Sequence, residues 1–171
     1  MSSRRSAAVL AARIAIFGIM AWAATDAAAE AQGTVNVTVP TAVSFSVTDV
    51  TVNTGGAPNP VRLSFSNGLL VVGSSLRVSL KADLGTFTPP SGSGILASNV
   101  SWTSVGANGG TGSNGTLDSS SYRQVFDSNI ASAFNLPLTG YVDLSFSLAA
   151  PGGGIRAGAH QLTIRWKLES F

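Results

Sequence analysis

Enzymatic chemistry needs a nucleophile with a base beside it, a pair of carboxylates, or a cluster of metal ligands, and this sequence spaces such residues thinly. The one histidine, His160, follows Ala157-Gly158-Ala159 and leads into an apolar-alternating segment. No GxSxG turn accompanies it, so neither a hydrolase triad nor a multi-histidine metal site can be assembled, and a solvated strand-edge histidine is the plain reading. Glycoside hydrolysis requires two acids across one cleft. Asp49, Asp83, Asp118, Asp127, Asp143 and Glu169 instead lie singly near expected strand ends or in loops, where such side chains cap turns. The absence of cysteine removes disulfides, thiol nucleophiles, iron–sulfur clusters, cysteine-ligated zinc and a lipid-anchored N-terminal cysteine. No catalytic residue and no cofactor is assigned, and a non-enzymatic protein is expected.

Two weaker ligand patterns stay open. Asn108, Asn114 and Asp118 sit in or beside the Gly-rich stretch 106–115, GANGGTGSNG, and oxygen ligands are what calcium takes. No D-x-D-x-D-G series is present, and one aspartate supplies little charge for such a site. Exposed aromatic rings stack on sugars. Trp102 shares parity with Val100, and Trp166 with Leu162, Ile164 and Leu168, so both are expected in the core. Tyr122 and Tyr141 begin strands and are the candidate glycan contacts.

The N-terminus has a different character. Arg4 and Arg5 precede an apolar run over 7–24 that Arg13 interrupts, leaving 11 uninterrupted apolar residues over 14–24, short of the ~20 a membrane-spanning helix needs. Small residues follow at signal-peptidase spacing, as Ala27-Ala28-Ala29 or Ala29-Glu30-Ala31. A cleavable signal peptide over 1–31 is expected, with a mature chain beginning at Gln32 and no membrane span after cleavage. Arg4, Arg5, Arg13, Asp26 and Glu30 leave with it, so ten basic and eight acidic residues become seven and six. No Lys or Arg stripe remains, which excludes nucleic acid as a partner. The expected destination is secreted, cell-surface or periplasmic.

The elements that position these residues are short and alternating. Val, Thr, Ser, Leu and Phe recur with period two between Gly, Pro and Asn punctuation, the pattern of an all-β, antiparallel β-sandwich of Greek-key or jelly-roll type with about eight strands, formed by residues 32–171 as a single domain. Strands are expected at 34–39, 42–52, 61–66 with a tight turn at Asn67-Gly68, 76–81, around Val100 and Trp102, at 122–126, 142–148 and 162–168. Residues 106–115 read as a mobile surface loop, too poor in apolar residues to pack. Leu63-Ser64-Phe65-Ser66 recurs as Leu144-Ser145-Phe146-Ser147, and each copy is followed by an alternating strand carrying basic residues.

Residues 158–168, GAHQLTIRWKL, resemble the terminal strand of bacterial WxL-type cell-surface domains, and the sandwich is similar in style to pilin and spore-coat-like proteins. Val100-Ser101-Trp102-Thr103 resembles the same motif more faintly, with Ser104 where Leu is the family's residue. The resemblance implies a bacterial surface protein. A membrane barrel does not fit: counting back by twos from Phe171 gives Glu169, Lys167, Arg165 and Thr163, a polar row where lipid-facing residues must be apolar. The segment carrying Val35, Val37 and Val39, set off by Pro40 near the freed N-terminus, is the candidate strand-exchange segment. The expectation is an exported structural or adhesive subunit whose partners are copies of itself or cell-surface components; the alternative is a carbohydrate-binding module that takes glycans.

Overall fold

The computed structural model of the chain describes residues 8–14, 35–68, 75–88, 94–129, 138–153, 155 and 158–170. Among them the chain forms two antiparallel sheets with no α-helix, a β-sandwich as expected. The strands are β1 (Ala8–Ile14), β2 (Asn36–Thr38), β3 (Thr54–Gly55), β4 (Val61–Gly68), β5 (Ser75–Ala82), β6 (Val100–Asn108), β7 (Thr111–Gly112), β8 (Gly115–Thr116), β9 (Arg123–Asn129), β10 (Leu138–Leu148) and β11 (Leu162–Ser170). One sheet has the order β1-β11-β5-β9-β7. The other runs β2-β4-β10-β6-β8, with β3 also paired to β10.

Alternation dictates the core. Leu63 and Phe65 of β4, Leu76, Val78 and Leu80 of β5, Val142, Leu144 and Phe146 of β10, and Leu162, Ile164 and Trp166 of β11 all turn into the interlayer space and are nearly inaccessible. Their intervening neighbours face outward, as the period of two requires. Phe65 and Phe126 stack across the two sheets with ring centroids 4.6 Å apart. With no disulfide, this apolar layer carries the fold; each fully buried large side chain contributes about 1.5–3 kcal/mol.

The Leu-Ser-Phe-Ser echo has a spatial counterpart. Its copies lie on β4 and β10, antiparallel neighbours in one sheet with Val61 opposite Leu144. The basic strands that follow, β5 and β11, are antiparallel neighbours in the other, with Leu80 opposite Trp166. The adjacent Val125 and Phe126, which break the alternation of β9, are both buried because the register shifts there: Val78 pairs with Phe126 and Ser79 with Gln124. Such a bulge puts two consecutive residues against one partner position.

Three expectations are corrected. Residues 42–52 form no strand; Ser44 makes one bridge to Ala57, and only Val43 of the expected face is buried, Val47 being 37% exposed. Asp49 turns the backbone locally by accepting from Thr51 N at 2.8 Å and Thr51 Oγ1 at 2.6 Å, which competes with a ladder. The expected turn at Asn67-Gly68 lies within β4, whose Gly68 pairs with Leu138 of β10.

Residues 106–115 are structured. β6 runs through Asn108, then β7 and β8 continue the two sheets. Here glycine is needed for close approach: a Cβ on Gly115 would lie 2.5 Å from Trp102 Cζ2, and one on Gly112 2.9 Å from Val142 Cγ2. Gly109 turns with φ +75°. The expected strand residue Thr34 lies outside the described residues, as do the expected cleavage sites around Ala27–Ala31.

The two core tryptophans differ in one respect that can be measured. Trp102 donates from Nε1 to the Ser113 carbonyl at 2.9 Å, whereas Trp166 Nε1 is buried with no hydrogen-bond partner among the described residues. Removing the indole N–H costs stability only where it is used. Urea unfolding of the full chain is expected to show W102F less stable than W166F by about 1 kcal/mol at unchanged m-value. Equal losses would contradict the assignment.

Candidate functional site

Each sheet has two edges, and the two ends of the sandwich treat them differently. At one end β7 and β8 are joined by Ser113 and Asn114, so a single segment borders both sheets. Ser113 donates its N–H to Val125 O at 2.9 Å and accepts from Trp102, and Asn114 Oδ1 accepts from Ser104 N at 2.8 Å. This end is stapled.

At the other end the bordering strands are β1, against β11, and β2, against β4. β1 lies wholly within the expected signal peptide and pairs antiparallel with β11 over seven positions, setting Ala8, Leu10, Ala12 and Ile14 opposite Leu168, Trp166, Ile164 and Leu162. β2 carries the candidate exchange segment and pairs over three positions, with Val37 opposite Phe65. Val35, Val37 and Val39 are half-buried and pack on the rim of the core. In this chain the segment therefore rests on its own domain. Without β1, the β11 edge has no neighbour: nine residues long and apolar on alternate positions, it is the kind of edge that takes another strand.

The tyrosines are not brought together. Tyr141 is in β10 on the outer face of its sheet, with the Arg62 guanidinium 3.8 Å from its ring centroid. Arg62 forks onto Asp143, Nε to Oδ1 and Nη2 to Oδ2, each 2.7 Å. Tyr122 precedes β9 in the other sheet, half-buried, with Lys81 Nζ 5.3 Å and Lys167 Nζ 5.6 Å from its ring. Both rings are covered by cations, an outcome that strand parity alone does not reveal.

Two of the three calcium candidates, Asn114 and Asp118, spend side-chain oxygens internally. Asn114 serves Ser104, and Asp118 accepts from Ser120 N and Oγ at 2.7 Å, Ser121 Oγ at 2.8 Å and Arg123 Nη2 at 2.9 Å. Among the described residues no three His, Cys, Asp or Glu side chains cluster as metal ligands. An open cleft of about 880 Å³ is lined by Gly85, Ala97, Asn114, Asp118, Ser119 and Arg123, among others, with no aromatic side chain among the described lining residues. His160, half-buried, sits just before the Gln161 bridge to Thr88. Comparison of the chain with protein-family models, curated proteins and solved structures gives no match.

Three carboxyls are held below the ordinary range. Hydrogen bonds from the Ser120 side chain, the Ser120 backbone and Ser121 keep Asp118 well below it. The Arg62 hydrogen bond lowers Asp143, and the Thr51 hydroxyl and N–H lower Asp49. A carboxylate with a lowered native pKa stabilises the fold above its unfolded value of about 3.9 and loses that contribution as pH falls through the native value. Urea midpoints should therefore drop between pH 6 and pH 2.5, and D118N should shrink the drop; a midpoint independent of pH would contradict these contacts.

Proposed function

We propose that this chain is the precursor of an exported, non-enzymatic structural or adhesive subunit of the bacterial cell surface or extracellular space, which assembles with copies of itself by strand exchange. One observation carries the reading: β1, the partner of the C-terminal strand, lies in the segment that reads as a signal peptide. Export would then remove the strand that covers β11 and create an incomplete sandwich from a complete one. Strand addition satisfies such an edge with backbone hydrogen bonds, while alternate side chains complete the core. A chain with no cysteine has no disulfide to close the gap, so another strand is the economical solution.

The reading is tested on the exported product. After processing near Gln32, size-exclusion chromatography and negative-stain microscopy are expected to show polymers, and deleting residues 32–40 to leave monomers. Polymers unchanged by that deletion would sink the strand-exchange reading. Retention of a monomer on a glycan array would favour a carbohydrate-binding module instead.

A further inference from the structure

We infer that the strand acceptor is the β11 edge, and that its occupant is the segment 33–39 of a second copy, seated antiparallel in the register that β1 holds in the precursor. This rests on the exported-subunit reading above.

In the precursor, β1 covers this edge. Its seven residues place an apolar residue opposite each core-facing position of β11: Ala8 against Leu168, Leu10 against Trp166, Ala12 against Ile164 and Ile14 against Leu162. A replacement must supply the same period of two over the same length, because a one-residue slip would turn every apolar side chain to the outer face. Residues 33–39, Gly-Thr-Val-Asn-Val-Thr-Val, span that length and supply a valine at three of the four positions. With Val39 set opposite Leu162, Val37 meets Ile164, Val35 meets Trp166 and Gly33 meets Leu168. Thr38, Asn36 and Thr34 then oppose Thr163, Arg165 and Lys167 on the polar face.

The boundaries agree with the same register. Pro40 falls opposite Gln161, just outside β11, where its missing N–H costs no ladder bond. The expected new N-terminus at Gln32 leaves the segment free at its other end. Within its own domain this segment pairs with β4 over only three positions, Asn36, Val37 and Thr38. Moving to β11 of a neighbour exchanges three paired positions for seven, and the valines pass from the half-buried rim of one core to the open end of another. The β7–β8 end is the poorer acceptor, because its border strands are two residues long each and turn into one another through Ser113 and Asn114.

Site-specific cross-linking decides the matter, and the cysteine-free chain makes each engineered thiol unique. The full chain, leader included, is exported as T38C and separately as T163C, and its N-terminus is read by mass spectrometry. The two products are mixed, dissociated, allowed to reassemble and treated with a short bis-maleimide. A covalent dimer that requires both variants is expected, together with loss of intramolecular closure in a T38C/S64C double variant, since Thr38 pairs with Ser64 when the segment stays at home.

Polymers that give no T38C–T163C product overturn the β11 assignment while leaving self-assembly intact. A product that stays monomeric and closes T38C/S64C overturns both. A product that retains residues 8–14 overturns the premise that this edge is vacated.

Discussion

A sandwich of two open sheets has four edges, and every uncovered edge leaves a row of backbone N–H and C=O groups without partners in the ladder. That constraint organises this molecule more than any side-chain cluster. Two edges are closed by one short segment, in which Ser113 and Asn114 hold the neighbouring strands by backbone and amide bonds. The other two are covered by the N-terminal region, β1 on β11 and β2 on β4. The export proposed above would remove β1 and leave β2 in place, changing one edge and not the other.

The core spans both sheets. Its largest fully buried side chains include Trp102, Phe126, Leu63 and Leu80 from β6, β9, β4 and β5, and Trp166 from β11. β11 contributes Leu162, Ile164 and Trp166 to that core, and on its other side it pairs with β5 over seven positions. The outer faces are tied by ion pairs that run across strands, Arg62 to Asp143 and Arg165 to Asp83. Partly exposed pairs of this kind add little stability. They do consume most of the charge on these faces, and the tyrosines beneath the cations are consequently poor open platforms for a sugar.

Much of the fold was legible because period-two alternation is a direct consequence of strand geometry. β4, β5, β10 and β11 announce themselves through Leu63/Phe65, Leu76/Val78/Leu80, Val142/Leu144/Phe146 and Leu162/Ile164/Trp166. Composition misled where it stood in for geometry. The glycines of 106–115 mark close packing against Trp102 and Val142 rather than mobility, and Val43, Phe45 and Val47 alternate without a partner strand to pair with. The candidate exchange segment is visible in the sequence as a valine alternation near the expected cleavage site. Its acceptor is not, because which strand lies at an edge is a property of sheet order, and the pairing of residues 8–14 with 162–168 joins opposite ends of the chain.

Residue-resolved amide hydrogen exchange across Leu162–Ser170 tests the account most directly, since exchange reads whether each backbone N–H has a partner. Alternate amides of β11 are expected to be protected in the precursor, to exchange rapidly in the dissociated mature subunit and to regain protection on assembly, while β5 amides stay protected throughout. Equal protection of β11 in the dissociated mature subunit and in the assembly would show that the edge is never vacated and would contradict the account.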